Sequence, residues 1–249
     1  MDRNKARKIA TIEARMTSSR LPGKIMLPLC GKPLLERLVE RARQSRWLDD
    51  VVVATTTNPA DDAVEQWARK AGVSIFRGSE EDVLLRVLEA AKAFRADVIV
   101  ELTGDCPLLD PAIIDQLMDI YVSSDYDYVS NVLERTYPRG LDTQVFSTAV
   151  LTQVDKITRD PADRENVSLY IYEHPERYKL SGLKAPAELY GPNIRICVDR
   201  PEDYTVVKRI YGALYPKKPG FDSYDIMRFL KENPDVARMN AHVAQKAVR

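Results

Sequence analysis

Ten residues, from Arg15 to Lys24, hold the densest chemistry in this chain. They read Arg-Met-Thr-Ser-Ser-Arg-Leu-Pro-Gly-Lys, with three cations, three hydroxyls and one glycine, and no acidic residue occurs between Ala14 and Leu35. Arg offers a planar fork for phosphate oxygens and Lys a point charge. Gly23, with the small Ser18 and Ser19, lets backbone N–H groups approach an anion. A loop of fixed charge without acidic neighbours suits a polyanion such as a nucleoside triphosphate. Without ligand its cations should repel one another. A solvated basic turn fits the charge count equally well. The spacing is neither a Walker A loop nor a Gly-x-Gly-x-x-Gly fingerprint.

Two acidic segments complement it. Asp105 lies in Thr103-Gly-Asp-Cys-Pro107, after an apolar run. Asp199 opens Asp199-Arg-Pro-Glu-Asp203, after another. Taken singly, Asp105 reads equally as an Asx turn and Asp199 as the N-cap of a helix starting at Pro201. Taken together with the basic loop, the two carboxylates form a coherent site for Mg²⁺ and a triphosphate, because Mg²⁺ takes one or two carboxylates plus phosphate oxygens. The chemistry would be nucleotidyl transfer, in which an acceptor oxygen attacks the α-phosphorus and pyrophosphate leaves. Catalysis is then positioning and charge neutralisation, with Arg15, Arg20 and Lys24 on the triphosphate and the metal on Asp105 and Asp199.

The elements that must position these residues follow a βαβ pattern. Strand-like runs at 8–13, 51–55, 73–76 and 98–102 alternate with helical stripes at 33–46, 59–71, 81–94 and 111–121. The run Val51-Val-Val-Ala-Thr55 is continuous and apolar, as in a strand buried on both faces. The order predicts an α/β fold with a mostly parallel sheet and right-handed crossovers. In such sheets ligands bind beyond the carboxyl ends of the strands, where the basic loop, Asp105 and, after the late strand, Asp199 are expected to lie. The later chain is less regular: strands are predicted at 126–132, 140–146 and 193–198, and helices at 148–157, 162–173, 201–214 and 223–231. A short helical tail follows from 235. The tyrosines between 121 and 137 read as core, and His174 and His242 as surface residues.

Composition bounds the partners. The chain has 249 residues with 37 Lys+Arg against 37 Asp+Glu, so it lacks the basic excess of a general nucleic-acid binder. Cys30, Cys106 and Cys197 match neither a disulfide framework nor a zinc pattern, which suits a reducing cytoplasm. No apolar run approaches the length of a membrane span.

The pattern Arg-x-x-Ser-x-Arg-Leu-Pro-Gly-Lys, followed by Leu29-Cys-Gly-Lys-Pro-Leu34, resembles the sugar-acid cytidylyltransferases. That group includes 3-deoxy-manno-octulosonate cytidylyltransferase and the CMP-acylneuraminate synthetases. The match is closest to the branch named after spore coat polysaccharide biosynthesis protein F. It is carried by Val53-Ala-Thr-Thr-Thr-Asn-Pro-Ala-Asp-Asp62, Phe76-Arg-Gly-Ser-Glu-Glu-Asp-Val-Leu84, Leu102-Thr-Gly-Asp-Cys-Pro-Leu-Leu-Asp110, Tyr137-Pro-Arg-Gly-Leu-Asp142 and Val198-Asp-Arg-Pro-Glu-Asp-Tyr204.

The resemblance implies one GT-A-like, Rossmann-like nucleotidyltransferase domain over 1–249: a CTP-binding half at 8–125, an acceptor and dimerisation part at 126–215, and C-terminal helices at 216–249. It implies CTP as donor, Mg²⁺ as cofactor, a small anionic sugar acid as acceptor and a homodimer built on 131–146. By position, Arg15, Ser19, Arg20 and Lys24 would contact the triphosphate, and Asp105 and Asp199 would hold the metal. Lys24, Arg15 and Asp105 would be catalytic. Ala14, Thr55 and Thr56 would lie near the cytosine, and Arg77 and Ser79 near the nucleotide or its acceptor. Arg139 would face the acceptor. Two positions depart from the branch: Glu13 stands where Gln is usual, and Asn166, also an acceptor position, where a His is common. Three other readings stay open: the same fold acting on a sugar phosphate or phosphonate, a GT-A glycosyltransferase, and a nucleotide-binding regulatory module. The single carboxylate of Gly104-Asp105-Cys106 fits poorly with the Asp-x-Asp motif of the glycosyltransferases.

Overall fold

The structure, a computed structural model, describes residues 2–245. Residues 246–249 of the C-terminal part expected over 216–249 lie outside the described residues. In chain order, β1 (Lys8–Glu13) leads through the basic loop to a small hairpin, β2 (Pro28–Leu29) and β3 (Lys32–Pro33), then α1 (Leu34–Ala42). Next come β4 (Asp50–Thr56), α2 (Asp62–Ala71), β5 (Ser74–Gly78), α3 (Val83–Ala93), β6 (Val98–Thr103) and α4 (Pro111–Val122). The second half holds β7 (Tyr128–Ser130), β8 (Gln144–Ser147), α5 (Thr148–Ile157), α6 (Pro161–Glu165), α7 (Leu169–Glu173) and β9 (Leu180–Gly182), and closes with α8 (Pro201–Leu214), α9 (Ser223–Glu232) and α10 (Pro234–Arg238).

The main sheet has the order β5-β4-β1-β6-β8-β7-β9. β5, β4, β1 and β6 are mutually parallel, whereas β8 runs antiparallel to both β6 and β7. Alternation along the strands sends side chains to two cores. Ala10, Ile12, Val51 and Val53 pack against α1, α4 and α8 on one face. Ile9, Val52, Ala54 and Ile99 pack against α3, α5 and α7 on the other. Burial on both faces explains the continuous apolar runs of the central strands. Tyr121, Tyr128 and Tyr137 are core residues. No described helix is long and apolar enough to cross a membrane.

Two predicted elements differ. The helix expected over 162–173 is broken into α6 and α7. The Asn166 amide donates to the Ala162 carbonyl at 2.8 Å, and the Asn166 carbonyl accepts from Leu169 N at 2.7 Å, so local bonds replace the helical ladder. The segment 193–198 is extended but joins no sheet. It meets Arg139 in a single bridge, with Arg139 N donating to Ile194 O at 2.9 Å and Ile196 N to Arg139 O at 2.8 Å. The neighbours of Arg139 prevent a ladder, since Pro138 has no N–H and Gly140 sits at φ +109°. A Cβ at Gly140 would lie 2.6 Å from Cys197 N, so only glycine permits this approach.

Candidate active site

The carboxyl ends of β1 and β6 meet at Gly104. A Cβ there would stand 2.6 Å from the Glu13 carbonyl oxygen and 3.1 Å from the Ala14 Cβ, so the turn after β6 closes onto β1 only with glycine. This brings Asp105 beside the basic loop. Val198 N then donates to the Asp105 carbonyl at 2.8 Å, which places Asp199 at the same edge. Asp199 thus reaches the site through one backbone bond to the β6 turn, not through a sheet strand.

Lys24 joins the two carboxylates. Its Nζ lies 3.1 Å from Asp105 Oδ2 and 2.9 Å from Asp199 Oδ1, and Arg20 Nη2 lies 2.7 Å from the same Asp199 oxygen. Burial lowers the Lys24 pKa, but Asp105 and Asp199 outweigh it and hold the ammonium above its ordinary value. Burial alone would raise the Asp105 carboxyl. Lys24 beside it, with Thr103 and Cys106, reverses this and keeps it below the ordinary range. Both carboxylates are therefore aimed at cations and not at capping. Asp203 accepts from the Asp199 and Arg200 backbone N–H groups, each at 3.0 Å, and takes the capping role that Asp199 might have had.

The loop cations are not unpaired. Sequence-distant acids meet them: Asp105 and Asp199 meet Lys24, Asp199 meets Arg20, and Glu80 lies 3.7 Å from Arg15. The expected mutual repulsion is thus relieved in the fold. Two acids missed in the sequence also fix the loop's course. Asp61, fully buried, accepts from Met16 N at 2.6 Å and from the Thr56 hydroxyl. Glu80 accepts from the Thr17 hydroxyl and, at 2.8 Å, from the Asn58 amide.

A cleft of about 550 Å³ opens from this edge, and Arg20, Asp105, Asp199, Arg139 and Asn166 all line it. Lys24 does not line it but bonds to two carboxylates that do. Arg139 lines the same cleft; among the described residues its guanidinium makes no side-chain hydrogen bond or ion pair, while neighbouring Arg135 forks onto Asp142. Burial and then Arg135 lower the Arg139 pKa, and Asp142 offsets this only in part. The other predicted positions lie away from this cleft. Ser19 is exposed on the loop, and Ala14 is buried beside β4, with its N–H on the Ala54 carbonyl at 3.3 Å. Thr55 and Thr56 are buried at the end of β4; the Thr55 hydroxyl has no partner among the described residues, whereas Thr56 is tied to Asp61. Arg77 is drawn to α2 by Asp62 at 2.7 Å and Glu65 at 2.6 Å. Ser79 Oγ accepts from Asp82 N at 3.0 Å ahead of α3.

The residues fit a divalent cation. Asp105 and Asp199 already converge on one ammonium, which stands in for a hard cation. Among the described residues no cluster of three or more metal-ligating side chains forms, so a metal here would need further oxygens from phosphate or water, as Mg²⁺ prefers.

A parallel α/β sheet with paired carboxylates and cations beyond its strand ends defines a nucleotidyltransferase of the Rossmann-like type. The comparisons sharpen this. A cytidylyltransferase family model matches residues 9–245. Spore coat polysaccharide biosynthesis protein SpsF of Bacillus subtilis is 36% identical over 91% of this chain and 95% of its own. A 3-deoxy-manno-octulosonate cytidylyltransferase of Geobacter metallireducens is 30% identical over 68% of this chain and 72% of its own. The structure of a cytidylyltransferase from Leptospira borgpetersenii superposes with a TM-score of 0.88 at 35% identity, covering 97% of this chain and 99% of that one. The chain belongs to the cytidylyltransferase family and is a CTP-dependent nucleotidyltransferase.

Proposed function

We propose that the enzyme transfers CMP from CTP to a small sugar acid of the octulosonate or nonulosonate type, releasing pyrophosphate with Mg²⁺ as cofactor. The single observation that carries the acceptor class is Arg139, a partly buried guanidinium without an ion-paired carboxylate, lining one cleft with Asp105 and Asp199. A guanidinium so placed suits bidentate capture of a carboxylate. The names of the relatives support the same class.

In this reading Arg20, Lys24 and Arg15 neutralise the triphosphate. Arg139 holds the acceptor carboxylate and Asn166 an acceptor hydroxyl, so that the attacking oxygen points at the α-phosphorus. The new bond joins that oxygen to phosphorus, and the bond to the β-phosphate oxygen breaks. Asp105 and Asp199 would hold Mg²⁺, which supplies charge neutralisation and lowers the pKa of the attacking hydroxyl. Lys24 must leave the carboxylates as it turns to the phosphates. Ala14, Thr55 and Thr56 would border the cytosine, with Ser19 on the triphosphate and Arg77 and Ser79 at the nucleotide's outer edge. The proposal includes a cytoplasmic homodimer through 131–146, which light scattering of the purified protein checks: a monomer at micromolar concentration rejects the dimer.

The test is pyrophosphate release across a panel of four nucleoside triphosphates and of sugar acids, neutral sugars, sugar phosphates and phosphonates. Release with CTP and a sugar acid supports the reading. Release only with a phosphorylated or phosphonate acceptor replaces the acceptor class, and preference for another triphosphate replaces the donor.

A further inference from the structure

Asp199 is held from behind by a largely buried side-chain network to which the proposed transfer assigns no role. Arg195, 6% exposed, directs three nitrogens to three different partners. Nη2 donates to Asp199 Oδ2, Nε donates to Asp203 Oδ1 at 3.0 Å, and Nη1 donates to Gln245 Oε1 at 2.5 Å. Asp203, with no exposed surface, fills both its oxygens: Oδ2 takes the Asp199 and Arg200 N–H groups, and Oδ1 takes Arg195 and the Asn240 amide at 2.8 Å. The Asn240 amide also donates to the Arg195 carbonyl at 3.0 Å. Asp199 is thus fixed through its main chain by Asp203 and through one carboxylate oxygen by Arg195. Only Oδ1 is left for Lys24 and Arg20.

Two of the links, Asn240 and Gln245, come from the segment that follows α10. The chain returns there, more than forty residues after Asp199, to brace the carboxylate at the cleft. Gln245 also lines that cleft. With Oδ2 turned to Arg195, the oxygen that Asp199 presents to Lys24 and Arg20 is Oδ1, so the network fixes the orientation of the carboxylate and aims one oxygen. Partners behind a ligand fix its orientation and commonly govern metal affinity by ten- to a hundredfold.

We infer that Arg195 is a positioning residue for the metal site, and that the C-terminal segment, through Asn240 and Gln245, sets the site's affinity for a divalent cation. This rests on the reading of Asp199 as a metal-holding residue. Arg195 touches neither substrate nor metal and acts through Asp199.

The experiment is a Mn²⁺ titration of the full chain with CTP present, read from the electron paramagnetic resonance of free Mn²⁺, with melting temperature and metal-free CTP binding measured in parallel. Gln245 is the principal variant because its side chain lies at the surface and its loss leaves the core intact. Gln245→Ala is expected to weaken Mn²⁺ binding about three- to tenfold, a fraction of the usual effect of a direct supporting partner, with unchanged melting temperature and metal-free CTP affinity. Gln245→Glu, which keeps the acceptor for Arg195, should restore Mn²⁺ binding. Asn240→Ala should act in the same direction as Gln245→Ala. Asp199→Asn separates the two ideas. If Asp199→Asn leaves Mn²⁺ affinity unchanged, the metal reading of Asp199 is wrong. If Asp199→Asn abolishes it but Gln245→Ala binds Mn²⁺ like the wild type, the positioning role is wrong while the metal site stands.

Discussion

Lys24 Nζ stands 2.9 Å from Asp199 Oδ1, so a cation assigned to the triphosphate rests on a carboxylate assigned to the metal. The same ammonium reaches Asp105 at 3.1 Å. Lys24 therefore bridges the two carboxylates, and in the proposed reaction it would have to move before they could hold a divalent cation.

Lys24→Met should have opposite effects on the two ligands. CTP affinity should fall about ten- to a hundredfold, the cost of one charge-assisted contact. Mn²⁺ binding in the absence of nucleotide should rise, because the internal counter-ion is gone. Calorimetry with CTP and a Mn²⁺ titration check this. Nucleotide-free Mn²⁺ binding no tighter than in the wild type would show that Lys24 does not compete for the carboxylates.

Asp105→Asn and Asp199→Asn should each lower turnover by about a hundredfold or more, as when preorganised charge stabilisation is lost. Their stabilities should differ. Asp199 is shared by Arg20, Lys24 and the buried Arg195; in its amide Lys24 keeps Asp105 and Arg195 keeps Asp203, but Arg20 loses its carboxylate, at a cost of about 1–3 kcal/mol. Asp105→Asn leaves Lys24 its second carboxylate and should melt closer to the wild type. Turnover at a temperature where both variants are folded, together with melting curves, decides the matter.

Arg139→Ala should raise the acceptor KM about ten- to a hundredfold while leaving the CTP KM within a few-fold, since a charged hydrogen bond is worth about 1.5–3 kcal/mol. An unchanged acceptor KM would remove Arg139 from the acceptor site.

Stability should fall as pH rises between about 5 and 7. Burial, against opposing bonds from Ser168 and Gln144, lifts the Glu101 carboxyl from 4.5 to about 7, and burial followed by Glu101 raises Glu13 as well. A raised acid holds its proton more tightly in the folded state, so its stabilisation is complete below the unfolded pKa and is lost as pH climbs to the folded one. The slope should not exceed about 1.4 kcal/mol per pH unit per proton. Asp105, depressed, acts in the opposite sense and only near or below its ordinary 3.8, outside this window. Glu101→Gln should flatten the profile and stabilise the protein near pH 8. Denaturant midpoints measured across the range test it, and an equally steep profile in Glu101→Gln would rule Glu101 out as its source.

Much of this arrangement was legible in the sequence for physical reasons. Continuous β-branched runs such as Val51-Val-Val mark strands buried on both faces, and Gly72 closes α2 in the left-handed conformation expected after a helix. Arg20, Asp105, Asp199, Arg139 and Asn166 line one cleft, and Lys24 joins two of its carboxylates. The misreadings at 193–198 and in the basic loop share one cause. Ile194, Ile196 and Val198 alternate like a strand, but whether a strand forms depends on a partner, and Arg139 offers only one pairing position. Local pattern is equally silent on which acid meets which base across the chain. Glu80 beneath Arg15, and Asn240 behind Arg195, are products of the fold without periodicity or motif. Asp203 alone left a trace, as the third residue of a proline-led helix, where a carboxylate reaches back to the preceding N–H groups.

The central claim is CMP transfer from CTP to a carboxylate-bearing sugar. Phosphorus-31 nuclear magnetic resonance of the reaction tests it most directly, with the acceptor supplied as the free acid and, separately, as its neutral amide. With the acid, the three triphosphate resonances should give way to one phosphodiester signal and pyrophosphate, and the amide should react far more slowly. Equal turnover of acid and amide, or a phosphodiester formed only with neutral sugars, would contradict it.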